Sequence, residues 1–349
     1  MTQTGVNTQA GNRLCMAGRE NSMYKKFDPV YHQELMKKAM TYDYSEVIPV
    51  SCGFLPTAWM KRGKELAELV SEYQDIMLLP DLEHLEENLS ARYRCGEWVD
   101  EWGCVFSNVE HGMDGIVTGH PVPTQDDIFK LEIPKNRDGS LPHGFMYLRL
   151  LDLRGFEEAM IDFAEEGEAL ETLLDKVLQY NLIQAEVAAA KMKPGDIVYL
   201  GDDLGMQNGL AIGAAKWRKY LKPCFAQIYK VFRDKGIYVY MHTDGCIHEI
   251  IPDLYEVGAN MVNPQFRANG LDRLEQVCKG KIPINLDLDR QMFPFAKPAQ
   301  IREHVRECVQ RMYLPQGGLA LNIELNYEIP KENIVALFDA VREYREYKG

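Results

Sequence analysis

The sequence Asp196-Ile-Val-Tyr-Leu-Gly-Asp-Asp, an apolar run that ends in two carboxylates, opens the stretch that decides the fold. From here to Tyr347, short apolar runs alternate with segments of helical periodicity. The apolar runs begin at Asp196, Ile237, Ala259, Ile282 and Leu319. Gly236, Gly258 and Gly280 follow three of the helical segments and act as C-cap signals. A strand followed by a helix, repeated in this way, is typical of parallel βα units.

Three further strands are predicted before this stretch. The first is Val47-Ile-Pro-Val-Ser-Cys-Gly, the second lies within the aromatic, glycine-rich segment 97–120, and the third is Phe145-Met-Tyr-Leu-Arg-Leu-Leu. Eight strands in all predict an α/β fold of the (β/α)8 TIM-barrel class. A doubly wound open sheet has the same alternation. It would normally carry a glycine-rich phosphate-binding turn, however, and neither GxGxxG nor GxxxxGK[ST] occurs in the sequence.

Helical patterns accompany the predicted strands. They cover residues 29–42, 59–81, 155–193, 215–235, 247–257, 271–278, 298–313 and 331–347. Residues 1–28 show little periodicity and are predicted to form an N-terminal arm. Residues 29–349 are predicted to form a single barrel domain, because barrels of this class routinely reach about 250 residues and more.

Composition excludes several classes of function. The formal net charge of -13 argues against a nucleic-acid partner, because no excess of cations is available to displace phosphate counterions. No apolar run approaches the ~20 residues of a membrane span, and the chain does not begin with a basic-then-apolar signal, so a cytoplasmic protein without membrane contact is expected. The eight cysteines lack CxxC pairs and are expected to be reduced.

Active-site groups of parallel barrels lie at the carboxyl ends of the strands, and five consecutive predicted strands end here in polar residues. The segments are Gly201 to Asn208, His242 to Cys246, Asn263 to Gln265, Asp287 to Arg290 and Asn322 to Glu324. At any single strand, solvated loop residues or helix N-caps would give the same pattern. Asp202 and Asp203 are adjacent, however, and adjacent strand residues point to opposite sides, so one of the two must face the barrel mouth.

His242 and Asp244 stand two residues apart at one strand end and can point the same way. With Glu324 from a neighbouring strand they would supply three zinc ligands and leave one coordination position open, which is the arrangement of a catalytic zinc site. Cys246 is an alternative third ligand, although its place inside the turn also suits packing. A hydrogen-bonded pair of His242 and Asp244 that binds substrate or moves a proton without metal is the alternative interpretation.

Other side chains are predicted to complete the site. The predicted catalytic residues are Asp202, Asp203 and His242. The residues predicted to contact substrate are Trp102, Gln207, Asn208, Asn263 and Asp287. Trp102 belongs to Asp100-Glu-Trp-Gly-Cys-Val-Phe, a stretch that suits a lid or an apolar pocket wall and equally suits a plain core.

The second half of the chain resembles the uroporphyrinogen decarboxylase superfamily, including its cobamide-dependent methyltransferase branch. The resemblance rests on the Gly-Asp-Asp strand end, Trp217-Arg-Lys-Tyr-Leu-Lys-Pro, the His-x-x-Gly strand end with Ile250-Ile-Pro-Asp-Leu-Tyr-Glu-Val-Gly-Ala, Asn263-Pro264 and Pro330-Lys-Glu-Asn-Ile. It covers residues 196–347, and the stretch 100–103 fits as well. The resemblance implies a barrel with an N-terminal extension and, by likeness alone, a homodimer.

Departures from the family pattern narrow the expected activity. True uroporphyrinogen decarboxylases carry an N-terminal arginine-rich motif for the substrate carboxylates, and nothing here resembles it, so porphyrin decarboxylation is not expected. The methyltransferase branch binds zinc with His-x-Cys and a distant Cys, and the matching positions here are His242, Asp244 and, approximately, Glu324. If zinc binds, carboxylates in place of thiolates make a harder, more Lewis-acidic centre, which suits an ether, alcohol or amine substrate rather than a thiol acceptor.

The resemblance therefore implies a zinc-dependent methyltransferase that moves a methyl group from a small O-methyl substrate, such as a methoxylated aromatic, or from an N-methyl substrate. The acceptor would be the Co(I) corrinoid of a separate protein, because the sequence lacks the Asp-x-His-x-x-Gly motif of a corrinoid-carrying domain. Asp202 or Asp203 would orient the substrate or protonate the leaving phenolate.

Two alternatives belong to other classes. One is a metal-free decarboxylase or lyase acting on a small carboxylated substrate, in which Asp202 or Asp203 stabilises a cationic intermediate and His242 relays a proton. The other is a non-catalytic binding protein that keeps the barrel. The five polar strand ends argue against this last interpretation.

Overall fold

A computed structural model describes residues 25–349 of the chain. The predicted arm largely lies outside these residues, and the division into an arm and a single domain stays a prediction. Strands occur in two sheets. The strands are β1 (Val50–Phe54), β2 (Gly96–Val99), β3 (Val105–Asn108), β4 (Ile116–Gly119), β5 (Ile197–Gly201), β6 (Tyr238–Thr243), β7 (Met261–Pro264), β8 (Ile284–Asp287) and β9 (Leu319–Leu325).

Helices precede, separate and follow the strands. They are α1 (Pro29–Thr41), α2 (Pro56–Ser71), α3 (Gln125–Lys130), α4 (Tyr147–Arg154), α5 (Phe156–Glu165), α6 (Glu168–Ala190), α7 (Gly213–Lys216), α8 (Lys222–Arg233), α9 (Ile251–Glu256), α10 (Phe266–Asn269), α11 (Leu271–Cys278), α12 (Pro298–Met312) and α13 (Lys331–Tyr344). No helix among residues 25–349 has the length and apolar character needed to cross a membrane.

The main sheet is parallel and has the order β1-β9-β8-β7-β6-β5. All five strands predicted from the regular alternation are present in it, together with the predicted first strand. Helices cover the sheet, and this is why strands such as β7 and β8 are buried along their whole length. The result is an α/β fold with a curled parallel sheet, as the sequence predicted at this level.

Helix α1 covers the amino-terminal end of the main sheet. Met36, Ala39 and Met40 on one face of this helix are buried against Tyr240 and Met261 of the sheet interior. Ile197 and Ala320 belong to the same apolar cluster. This packing closes the amino-terminal end of the sheet with hydrocarbon and leaves the polar residues at the carboxyl ends.

The prediction of a third strand was wrong. Phe145 to Leu151 was expected to be extended, whereas Tyr147 begins helix α4. Tyr147, Leu150 and Leu153 are buried at helical spacing, and a short apolar run cannot be assigned to helix or strand from its periodicity alone. The helix is favoured by a distant carboxylate that accepts its first amide hydrogens, described below.

The segment 97–120 forms a separate antiparallel sheet, β2-β3-β4, in place of one barrel strand. Trp98 of β2 stacks on Phe106 of β3 with ring centroids 4.3 Å apart. Asp100, after β2, makes a buried ion pair with Arg149 of α4. This pair fixes the small sheet to the helix that precedes the second half of the chain.

Candidate active site at the carboxyl ends of the strands

Three potential metal-binding side chains converge at the carboxyl edge of the main sheet. His143, Asp203 and His242 each offer a ligand atom, and these atoms all lie within 4.8 Å of one another. We call these three residues the donor cluster. Asp203 follows β5 and His242 lies near the end of β6, and these neighbouring strands pair at Gly201 and His242. The sheet register therefore places two of the three side chains side by side.

His143 enters the donor cluster from the segment before α4. Its Nε2 atom lies 3.1 Å from Oδ1 of Asp203. Burial lowers the pKa of His143, but the hydrogen bond and charge of Asp203 outweigh burial and raise the pKa above its usual value. Burial acts in the opposite direction on Asp203, yet the contact with His143 holds the pKa of this carboxyl below its usual value. The two side chains form a hydrogen-bonded pair in which each favours the charged form of the other.

A missing side chain at position 201 makes room for His143. A Cβ atom added to Gly201 would lie 2.4 Å from Nδ1 of His143, closer than real Cβ atoms approach other atoms. Gly201 ends β5 directly before the two carboxylates. The Gly-Asp-Asp sequence thus provides a cavity for one imidazole and a carboxylate to bind it.

Asp202 points away from the donor cluster. Its carboxylate is fully buried and accepts hydrogen bonds from the backbone N–H groups of Met146, Tyr147 and Leu148, at 3.1, 2.5 and 2.9 Å. Burial raises the pKa of Asp202 to about 7, while the amide donors oppose that rise. Asp202 was predicted to be catalytic, but the structure shows that it caps the start of α4. The three backbone amides that it binds belong to residues 146–148, which follow His143 closely in the chain. Asp203 is the carboxylate that faces the cluster.

Asn263 holds His242 rather than facing an open cavity. Its Oδ1 atom lies 2.7 Å from Nδ1 of His242, and its Nδ2 donates to the carbonyl of Asn285 at 2.7 Å. Asn263 was predicted to contact substrate, yet it is only 3% exposed. The direct partner of Asn263 in this site is a histidine of the cluster.

Arg290 lies between two of the predicted zinc ligands. Its guanidinium donates to Asp244 at 2.6 Å and to Glu324 at 2.5 Å. The structure therefore does not assemble His242, Asp244 and Glu324 around one point, because the guanidinium of Arg290, from the loop after β8, lies between the two carboxylates and pairs with both. Asp244 remains next to the cluster, with Oδ1 3.7 Å from Nε2 of His242.

Asp287 lies near this arginine. Its carboxyl is 2% exposed and accepts a hydrogen bond from Nδ2 of Asn322 at 3.0 Å. Burial raises the pKa of Asp287 to about 6, and the nearby charge of Arg290 limits the rise. A carboxyl in this environment can carry a proton near neutral pH.

The remaining predicted side chains lie elsewhere. Cys246 is buried and its sulfur contacts Nδ1 of His248 at 3.4 Å, so the structure gives it a partner outside the donor cluster. Trp102 packs edge-on against Tyr180 in the core, which matches the plain-core alternative. Gln207 and Asn208 are exposed on the loop after β5.

Two glycines lock the loops that carry the cluster residues. A Cβ atom on Gly245, whose φ is +83°, would lie 2.1 Å from the carbonyl oxygen of Gly205. A Cβ atom on Gly205 would lie 2.6 Å from the backbone nitrogen of Cys246. The loops after β5 and β6 touch backbone to backbone, and this contact fixes Asp203 relative to His242.

Residues 150–344, more than half of the chain, match the family model described as uroporphyrinogen decarboxylase (URO-D). The chain belongs to the uroporphyrinogen decarboxylase family. A solved structure of a methyltransferase from Methanosarcina mazei has the same fold, with a TM-score of 0.64, 16% sequence identity, and coverage of 90% of this chain and 98% of that chain. No curated protein matches the chain in sequence.

In this member of the uroporphyrinogen decarboxylase family, the matched region contains Asp203 and His242, whereas His143 precedes it. The residues of the donor cluster fit a divalent ion such as zinc, because imidazole nitrogen and carboxylate oxygen are its usual non-sulfur ligands. Among the described residues, Oδ1 of Asp244 is buried without a hydrogen-bond partner. That oxygen is a fourth donor available beside the cluster.

Proposed function

We propose that this protein is a methyltransferase that moves a methyl group from a small O-methyl or N-methyl substrate to the corrinoid of a partner protein. In this proposal His143, Asp203 and His242 hold a zinc ion. The supporting observation is the convergence of two imidazoles and one carboxylate within 4.8 Å at the carboxyl edge of the sheet. We also infer that the curled sheet, to which the described residues contribute six parallel strands, forms a barrel-like fold in which this edge is the active-site end.

In the proposed reaction the zinc ion and Arg290 have different tasks. Zinc supplies Lewis acidity that withdraws electron density from the substrate oxygen or nitrogen carrying the methyl group. In the proposed reaction the bond from that atom to the methyl carbon would break with its electron pair left on the oxygen or nitrogen, and the partner protein's Co(I) corrinoid, as co-substrate, would supply the pair for the new bond to carbon. Arg290, held by Asp244 and Glu324, presents a positive charge in a fixed position that can orient the leaving atom.

A cavity beside Arg290 suits a small, partly apolar substrate. It has a volume of about 500 Å³ and lies next to the donor cluster's neighbour Arg290, although no donor-cluster residue lines it. Its apolar border is formed by Leu55, Pro294, Phe295 and Leu325, and its polar border by Arg267, Arg290, Gln291, Glu324, Asn326 and Glu328. Cavities of this size accommodate small organic molecules, with apolar walls for the carbon skeleton and a few polar groups for orientation. A methoxylated aromatic ring has this chemistry.

Metal analysis of single variants tests the proposal first. We expect about one zinc per chain in the native protein, and loss of zinc in His143→Ala and His242→Ala, because each removes a nitrogen ligand. Glu324→Ala separates the two ligand sets: it keeps zinc if the donor cluster is the site, and loses zinc if the set predicted from the sequence is the site. His32→Ala, a histidine of α1 at the other end of the sheet, is the matched control and should keep its zinc.

Methyl transfer is then measured with cob(I)alamin as acceptor and methoxybenzoates, methanol and methylamines as donors. Formation of methylcobalamin by the native protein, and its loss in His242→Ala, supports the proposal. Zinc binding without transfer from any donor contradicts the methyltransferase assignment, and a native protein without metal contradicts the zinc site.

A metal-free decarboxylase or lyase is the second candidate. The observation in its favour is the hydrogen-bonded pair of His143 and Asp203, which can hold a proton without metal, close to a half-buried arginine suited to a carboxylate. Release of carbon dioxide from small carboxylated substrates, unaffected by chelators, would establish it in place of the first candidate.

A further inference from the structure

The backbone carbonyl of Asn285 fixes the orientation of a buried amide. A carbonyl oxygen only accepts hydrogen bonds, so the atom of Asn263 that faces it at 2.7 Å must be the donor Nδ2. Asn285 is itself held in place, because its own Nδ2 donates to the hydroxyl of Tyr240 at 2.9 Å. Both asparagines are buried, which prevents water from offering Asn263 another partner.

The fixed amide in turn determines which nitrogen of His242 carries a proton. With Nδ2 directed to Asn285, the Oδ1 atom of Asn263 faces Nδ1 of His242 at 2.7 Å. An amide oxygen cannot donate, so Nδ1 must carry the hydrogen. A neutral imidazole holds one proton, and Nε2 is therefore left with a free lone pair.

The free nitrogen points to the ionisable groups of the site. Nε2 of His242 lies 3.7 Å from Oδ1 of Asp244, and the imidazoles of His242 and His143 have centroids 5.6 Å apart. The sheet register adds rigidity, because His242 of β6 pairs directly with Asn263 of β7.

We propose that Asn263 is a positioning residue that selects the Nδ1–H tautomer of His242 and so presents the Nε2 lone pair to the donor cluster. The proposal rests on the proposed function only in taking this lone pair as a zinc ligand. The tautomer itself is a property of the metal-free protein.

The tautomer can be read by NMR of the metal-free, 15N-histidine-labelled protein. Spectra are recorded at about pH 8.5, above the ordinary histidine pKa of about 6.5, because the two nitrogens of a neutral imidazole give distinguishable signals. His242→Gln identifies the signals by their disappearance. We expect the native protein to show His242 protonated at Nδ1, Asn263→Asp to retain this form because it keeps an acceptor, and Asn263→Leu to lose it.

Zinc affinity provides a second readout, measured by competition with a chromophoric chelator. Loss of a residue that orients a ligand typically weakens metal binding about 10- to 100-fold, and we expect this for Asn263→Leu. Asn333→Ala is the matched control: Asn333 is also 3% exposed, and its Nδ2 donates to the carbonyls of Phe293 and Ala296, away from the cluster. This variant should bind zinc as the native protein does.

Protonation of His242 at Nε2 in the native protein would overturn the proposal, and so would an Asn263→Leu variant with unchanged tautomer and zinc affinity. The native spectrum decides the matter even if that variant fails to fold. Failure of the native protein to bind zinc, with His242 protonated at Nδ1, contradicts the proposed function and leaves the positioning role of Asn263 supported.

Discussion

Gly201 shows how one hydrogen atom in place of a methyl group shapes this site. In Gly201→Ala the new methyl would meet Nδ1 of His143 at 2.4 Å, so the imidazole must rotate away from Asp203. We expect zinc affinity to fall about tenfold or more, as for other changes that misorient a ligand, while the free energy of unfolding falls by only about 1–2 kcal/mol. Chelator competition and urea unfolding measure the two effects.

Gly53→Ala is the control for this prediction. Gly53 lies on β1 of the same sheet, and a Cβ atom there would meet nothing within 4 Å. Zinc affinities that fall equally in both variants would show that sheet disturbance, and not the position of His143, sets the affinity.

Individual site residues could be predicted from the sequence only where a strand end placed them. Asp203 and His242 follow apolar runs that do form neighbouring strands, so their proximity was foreseeable. His143 lies two residues before Phe145, where the third strand was predicted to begin, so the prediction placed it near the amino end of a strand and not at a carboxyl end. Only its position between Pro142 and Gly144 marked a loop. The ion pairs of Arg290 could not be foreseen, because they join the loops after β6 and β8 and strand β9, which are distant in the chain.

Helix α4 depends on a side chain more than fifty residues away. Asp202 accepts the hydrogen bonds of three backbone N–H groups at its start, the groups that a helix cannot satisfy internally. In Asp202→Ala these buried donors lose their acceptor, at about 1–3 kcal/mol each, so we expect the free energy of unfolding to fall by about 3 kcal/mol or more. Denaturant unfolding measures this loss.

Asp28→Ala is the matched variant, because Asp28 caps α1 in an exposed position, where it accepts from Val30. Loss of an exposed cap costs about 0.5–2 kcal/mol. Equal losses in the two variants would contradict the special role of burial at Asp202.

Element boundaries differ from the sequence prediction where backbone geometry interrupts a continuous pattern. The helix predicted over 155–193 is divided into α5 and α6 at Glu166, which adopts a left-handed conformation with φ +55°. The helix predicted over 215–235 contains a π-helical turn at Trp217–Leu221, which ends two residues before Pro223. Periodicity reports which face is buried, and it is insensitive to such local breaks.

At the scale of the whole molecule, the apolar cluster under α1 and the donor cluster occupy opposite ends of the sheet. Met36 of α1 is fully buried against the amino-terminal end, remote from the donor cluster. We expect Met36→Ala to lower the free energy of unfolding by about 2–5 kcal/mol, since it leaves a cavity in packed hydrocarbon. Zinc affinity should be unchanged under native conditions. A Met36→Ala protein that stays folded but binds zinc tenfold more weakly would contradict this separation.

The pairing of β1 with β9 has a consequence for how the protein is made. The first strand of the main sheet finds its only described neighbour at Leu319–Leu325, close to the end of the chain. On the ribosome, α1 and β1 emerge long before that partner has been synthesised, and their apolar faces stay unburied until then. Contacts so distant in sequence fold slowly and leave hydrophobic surface open to aggregation in the meantime. Slower translation cannot shorten the time during which α1 and β1 lack their partner strand, whereas a chaperone that binds nascent chains can shield their apolar surface during that time.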